Sequence, residues 1–216
     1  SLESVWYWMD NSRVAWSGNT FENWGAIESR VAANDAGSFS TANTFHGVPG
    51  AHLWVYGTRL SLDSTWGPAA GRLVLERDDA YWGFEIGGTD GADSVTTLTL
   101  LPGTVVALRG SMKVIQVGSG GPGALVADGD AGGASLPIRF TSAAPSPTRG
   151  SWGGVRFESD ARPSLLRNVV VEYGGGPTAA RGAVDIGTAS ATITVGRAII
   201  RDSLGVGLYL GSGGVE

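Results

Sequence analysis

Carboxylates are plentiful in this 216-residue sequence, and the most suggestive group with catalytic potential is Glu76, Asp78 and Asp79 beside Tyr81 and Trp82. Hydrolysis of a glycosidic bond needs two carboxyl groups about 5 to 9.5 Å apart. Glu76 and Asp78 share a side if their strand runs that far, with a sugar-stacking aromatic adjacent. The competing reading, and the weightier one, is a solvated turn. A second group, Glu158 and Asp160 ahead of Arg162, with Glu172 at a comparable place in the next strand, reads as surface charge. Its weaker alternative is a calcium ladder, but calcium takes roughly six to eight oxygens and no Asp-x-Asp-x-Asp loop supports one. Asp185 and Asp202 also read as surface charge. His46 and His52 lie six residues apart across Val48, Pro49 and Gly50, which is not a helical zinc spacing, so they read as turn or edge residues.

Seven of the eight tryptophans fall within the first 82 residues, at 6, 8, 16, 24, 54, 66 and 82. Trp6 and Trp8 should share one strand face, with Trp16 stacked near them. Packing against a core or a lateral cap is the leading expectation. An exposed glycan platform of Trp6, Trp8, Trp16, Tyr81 and Trp82 comes second, and a protein interface third. Regular threonine ranks suited to ice are not evident, since only Thr97 with Thr99 and Thr192 with Thr194 have that local spacing.

The elements that would position these groups are short strands. Thirty-five glycines, 42% hydrophobic and 16% charged residues describe a turn-rich chain with a sizeable core rather than a disordered one. Period-two runs such as HLWVYG, GRLVLER, TVVALRG, KVIQVG, GVRFES and ATITVG end in glycine or small polar residues, as strands do. No amphipathic helix of useful length is present, although SRVAAND (29–35) could form a turn or two. Fifteen basic against twenty acidic residues give a net charge of −5 without a basic cluster, so nucleic acid is not an expected partner. Cysteine is absent, which removes disulfides and thiolate sites. No apolar stretch of membrane-spanning length occurs, so membrane insertion by this chain is not expected.

Repetition organises the strands. Asn-Thr-Phe occurs at 19–21 and again 24 residues later; GGVRFES, GAVDIGT and GVGLYLG begin at 153, 182 and 205, with NVVVEYGG and RAIIRDSL interleaved. A unit of that length fits one turn of a parallel β-helix and falls short of a four-stranded propeller blade, roughly 40 residues long. The predicted fold class is all-β, a right-handed parallel β-helical solenoid, with a lateral insertion or block boundary in the first half. Within it Trp152 should anchor a bend, Val155, Phe157, Val169 and Val171 should face the interior, and Gly174 and Gly175 should turn the chain. Asn19, Asn43 and Asn168 are expected at bends, where an amide can stack on the next coil.

The series LPGTVV (101–106), GALVADG (123–129), PIRFTS (137–142), GSWGGV (150–155) and SLLRNVVVEYGG (164–175) resembles the entry segment of bacterial right-handed parallel β-helix proteins of the pectin-lyase-like superfamily. The resemblance implies a secreted or bacterial cell-surface protein. It does not imply an activity, because the superfamily holds both polysaccharide-cleaving enzymes and proteins without one. The lyase signature Arg-x-Pro-x-x-Arg has no match, since 162–167 read Arg-Pro-Ser-Leu-Leu-Arg. The polygalacturonase-like series is incomplete: Asp78-Asp79 is the sole Asp-Asp pair, and neither histidine lies in Gly-His-Gly.

Three segments are expected: 1–49, coils like the end of a preceding block; 50–97, a Trp-containing connecting or lateral segment; and 98–216, an entry segment with successive coils that lack a C-terminal cap. Ser1 in place of methionine reads as a processed or excised piece. The functional expectation is a noncatalytic extracellular scaffold or adhesion module, assembled head to tail through its coil ends or covered there by parent sequence. The alternative is a glycan-binding or polysaccharide-degrading β-helix using the carboxylates and aromatics above. No cofactor is expected beyond the weak calcium alternative.

Overall fold

The computed structural model describes residues 16–24, 29–47, 51–68, 70–76, 83–89, 93–110, 113–176 and 181–211. The chain first forms β1 (Thr20–Trp24), β2 (Arg30–Ala32), the short helix α1 (Ala36–Thr41) and β3 (Thr44–Gly47). Three-strand turns follow. The first is β4 (His52–Tyr56), β5 (Arg59–Leu60) and β6 (Ser64–Trp66), and the second is β7 (Arg72–Glu76), β8 (Gly83–Ile86) and β9 (Thr96–Leu100). The third is β10 (Val105–Leu108), β11 (Val114–Val117) and β12 (Gly123–Asp128), and the fourth is β13 (Ile138–Ser142), β14 (Gly154–Phe157) and β15 (Ser164–Arg167). Next come β16 (Val169–Glu172), β17 (Val184–Asp185) and β18 (Ile193–Gly196), and finally β19 (Ile199–Arg201) and β20 (Leu208–Tyr209).

Every third strand joins the same sheet. Sheet I runs β2-β4-β7-β10-β13-β16-β19, sheet II β5-β8-β11-β14-β17-β20, and sheet III β6-β9-β12-β15-β18, while β1 and β3 form a separate pair. All of these pairings are parallel. The molecule is thus an all-β solenoid. Residues 52–86, placed by the sequence reading in a connecting or lateral segment, supply β4 to β8 to the same three sheets.

Side chains of like character stack along the axis. On sheet I, Leu53, Leu73, Val106, Phe140 and Val171 form one inward rank; on sheet II, Leu60, Ile86, Val117 and Phe157 form another; all are buried. Trp66, Leu100, Ala127 and Leu166 fill the third wall. Successive residues of each strand point alternately inward and outward, and an outward residue flanked by neighbouring strands can itself be apolar. This resolves the run of three valines: Val169 and Val171 point inward, and Val170 stands outside, half-buried in register with Ile199.

Single residues make the corners. Asn168 and Arg197 turn the chain from sheet III into sheet I with φ of 50° and 49°, and Tyr173 and Asp202 make the next corner with φ of 63° and 52°. Left-handed backbone costs a non-glycine residue about 1 kcal/mol or more, and stacking offsets it. The Asn168 N–H donates to the Gly196 carbonyl at 3.0 Å, and its Nδ2 donates to Asp130 Oδ1 at 2.9 Å. Farther back, Asn43 Oδ1 accepts from both Asn19 N and Asn19 Nδ2 at 2.9 Å, so the expected asparagine stacking is present.

The expected turn of helix at SRVAAND is not formed. Arg30–Ala32 is strand β2, and the helix begins later, over AGSFST, with Phe39 N–H donating to the Asp35 carbonyl. There α1 takes the place of a strand in the coil before β6, and its Ser40 Oγ accepts from Gly67 N–H at 3.1 Å. Phe39 on α1 packs with Trp16, Phe21 and Phe45, whose ring centroids lie 5.5, 5.2 and 5.6 Å away, and Phe21 and Phe45 stack at 5.0 Å. One end of the described solenoid is thereby covered along sheet III.

Candidate functional site

The outward ranks carry the polar chemistry, and each sheet presents a different one. On sheet I, Thr141, Glu172 and Arg201 follow one another across β13, β16 and β19. Glu172 is only 2% exposed. Its Oε2 accepts from Arg201 Nε at 3.0 Å and Nη2 at 2.6 Å, and its Oε1 accepts from Thr141 Oγ1 at 3.1 Å and from Arg139 Nη2. Burial pushes this carboxyl up, but hydrogen bonds from Arg139 and Arg201, the Arg139 charge and the Thr141 hydroxyl together hold it below its ordinary value. The sequence reads Glu172 as surface charge, and the structure corrects this: a buried carboxylate survives there because donors fill both its oxygens.

Sheet II presents Arg59, Glu85, Gln116, Arg156, Asp185 and Tyr209 in register. Arg59 pairs with Glu85 at 2.6 Å, and Arg156 pairs with Glu158 at 2.9 Å. Asp185 is 1% exposed, a second correction to a surface reading. It accepts from Gly187 N–H at 2.9 Å and Arg181 N–H at 3.1 Å, while the Arg181 guanidinium lies 4.5 Å from the Tyr209 ring centroid. Sheet III presents Thr65, Thr99, Val126, Leu165 and Thr194, without charge. Val126 and Leu165 interrupt the hydroxyl rank, so the Thr-x-Thr pairs do not line up into a continuous one.

At the corner between sheets III and I, Arg167 Nε donates to Asp128 Oδ1 at 2.8 Å and Nη2 donates to Oδ2, a bidentate pair joining β12 to β15. That hydrogen bond from Arg167 lowers the Asp128 pKa against the opposing effect of burial, and Arg167 is raised in return.

The candidates fall out as follows. Trp6, Trp8, Asp78, Asp79, Tyr81 and Trp82 lie outside the described residues. Glu76 ends β7 in register with Tyr56. Trp16 is half-buried against Phe39, so it packs rather than forming an exposed platform. Trp66 is fully buried, and Trp54 is 8% exposed on the outside of sheet I, with His52 edge-on to it. The weak calcium alternative does not assemble: Glu158 follows β14 on sheet II with Arg156, Asp160 is exposed in the next turn, and Glu172 is on sheet I. No cluster of metal-ligating side chains occurs among the described residues. His46 on β3 is exposed and His52 is on β4, in different sheets.

Trp152, Val155, Phe157, Val169 and Val171 are all buried as expected. The Trp152 indole N–H donates to the Glu172 carbonyl at 2.8 Å. Gly175 turns with φ of 80°, and a Cβ there would meet the Leu204 carbonyl oxygen at 2.7 Å; Gly174 packs on Ala183 without a left-handed φ. Sequence reasoning missed the acid-centred staples. The available signal was Glu172 and Arg201 at corresponding strand positions, with Arg139 two residues out of that register, visible once the coils are aligned.

The site with the greatest unmet demand is the edge of the last coil. One inward rank on sheet II reads Val155, Val184 and Leu208, with exposures of 0%, 1% and 39%. Leu204, Val206 and Leu210 in the same coil are also exposed, and Ile199 is exposed on the outward face of sheet I. Val155 and Val184 are each followed by a further strand of the sheet, and no described strand follows Leu208.

Comparison of the chain with family models, curated proteins and solved structures finds no match.

Proposed function

We propose that this chain is a noncatalytic scaffold module, a right-handed parallel β-helix of the pectin-lyase-like kind, working outside the cell or at a bacterial cell surface and assembling through the edge of its last coil. The carrying observation is the inward rank Val155, Val184, Leu208, whose exposure jumps at its final member. An exposed strand edge with apolar side chains behind it is a template for further pairing. Supporting this, three buried acids are engaged structurally, Asp128 and Glu172 by arginines and Asp185 by N–H donors. Head-to-tail assembly needs an open edge at both ends, and α1 occupies one along sheet III. Pairing of two last-coil edges is therefore the favoured form.

Light scattering across a concentration series tests this, with Leu208→Asp as the probe. Concentration-dependent dimerisation abolished by the substitution supports the reading, and a monomer at every concentration contradicts it. Parallel incubation with a glycan panel, read for reducing ends and unsaturated products, should give no cleavage.

A further inference from the structure

We propose that Glu172 is an acid-sensitive latch holding β19 onto the solenoid, so that protonating this one carboxylate frays the last coil before the remaining turns unfold. This does not depend on the scaffold reading.

The geometry makes Glu172 the sole acidic member of a three-coil staple. Arg139 on β13 and Arg201 on β19 reach its two oxygens from opposite sides, and Thr141 on β13 adds a third donor. Around it the other polar groups are Asp202, 4.0 Å from Arg201 Nε, Tyr173 at the adjoining corner, and the Trp152 indole on the Glu172 carbonyl. Every side-chain contact to the carboxylate is a donor contact. A proton on Oε2 finds only the Arg201 donors and displaces one of them, a proton on Oε1 finds an acceptor only if the Thr141 hydroxyl turns round, and either leaves two guanidinium groups facing a neutral group.

Little else holds β19. It is three residues long, it pairs with β16 alone, Ile199 is 56% exposed, and Ile200 is only partly buried. The corners on either side add backbone bonds, from Asn168 N–H to the Gly196 carbonyl at 3.0 Å, from Tyr173 N–H to the Arg201 carbonyl at 3.3 Å and from Leu204 N–H to the Gly174 carbonyl at 2.9 Å, and an ion pair of Arg197 with Asp130. By contrast, β10 lies between β7 and β13 with Val106, Ala107 and Leu108 buried. Local opening draws on the least buried elements first, so an end strand can be released without the core.

The sign follows from the carboxyl being held low. Its stabilising contribution is fully present above the unfolded-state value, ordinarily 4.5, and is lost as pH falls through the lower folded-state value.

Amide hydrogen exchange on the whole chain tests the latch, as protection factors corrected for intrinsic rates. On acidification of the wild type, protection at Ile199–Arg201 should fall roughly tenfold or more while β10 and β11 keep theirs, the fold-change expected for losing a charge-assisted hydrogen bond. Glu172→Gln should show that loss already at neutral pH and no further loss in acid. Arg201→Gln, which leaves Glu172 with Arg139, should loosen β19 at neutral pH even if the first variant does not fold. The proposal is overturned if β19 and β10 lose protection together, if Glu172→Gln keeps wild-type protection or its pH dependence, or if Arg201→Gln leaves β19 unchanged.

Discussion

Gly123→Ala should destabilise the solenoid sharply although it adds a single methyl group at a glycine outside the left-handed region. A Cβ at this first residue of β12 would lie 2.0 Å from the Ile86 carbonyl oxygen, 2.8 Å from its carbon and 2.9 Å from Gly118 N, all backbone atoms. Relief to an ordinary contact requires a shift of about 1.4 Å, large against the roughly 4.8 Å between neighbouring strands. The same Ile86 oxygen accepts from Gly118 N–H at 2.9 Å, and Gly123 N–H donates to the Asp160 carbonyl at 3.3 Å. Such a shift breaks at least the first bond. Overpacking costs about 1–3 kcal/mol and an orphaned buried backbone group about 1–3 kcal/mol, so the expected loss is roughly 2–6 kcal/mol. At about 2–4 °C per kcal/mol for a chain of this size, the melting temperature should fall by roughly 4–24 °C. Gly196→Ala is the matched control. It also lies in a strand without positive φ, and nothing stands within 4 Å of its Cβ; it should be neutral or stabilising by up to about 1 kcal/mol. Thermal melts and urea midpoints read both variants. If Gly123→Ala lies within about 0.5 kcal/mol of Gly196→Ala, the close coil contact is not as described.

Two further outcomes concern the aromatic cluster around α1 and the Asp128–Arg167 pair. Phe39→Ala removes the ring around which Trp16, Phe21 and Phe45 gather and should cost about 3–5 kcal/mol, read by urea unfolding and by loss of near-ultraviolet aromatic dichroism. Asp128→Asn should lower the urea midpoint at neutral pH and flatten its acid dependence. The Arg167 hydrogen bond holds Asp128 below its ordinary 3.8, so its contribution is present above that value and lost as pH falls through the folded-state value. Equal midpoints for wild type and variant at pH 7 would refute it.

Much of the fold is legible in the residues, because the repeat is carried by strand faces. The 24-residue offset between the Asn-Thr-Phe copies appears as Thr20 with Thr44 and Phe21 with Phe45 in register. GGVRFES and GAVDIGT align in the same frame, as Val155 with Val184, whereas GVGLYLG slips by one residue, placing Leu208 on Val184. What escapes the residues has physical causes. Strands such as β5, at two residues, and β6, at three, are too short for periodicity to register. The helix over AGSFST has no amphipathic stripe of its own; tertiary packing of Phe39 selects it. Burial of Glu172 and Asp185 depends on donors 29 to 33 residues away for the first and on a local loop for the second, neither of which a one-strand pattern reveals.

The central claim is that the edge of the last coil is an assembly surface, and the absence of native cysteine allows it to be read at one position. Leu208→Cys and Thr65→Cys can each be labelled with a maleimide over a range of protein concentrations. Assembly through the last coil predicts that labelling at 208 slows as concentration rises while labelling at 65, on the outward face of sheet III near the α1 end, does not change. Equal, concentration-independent rates at both positions would contradict it.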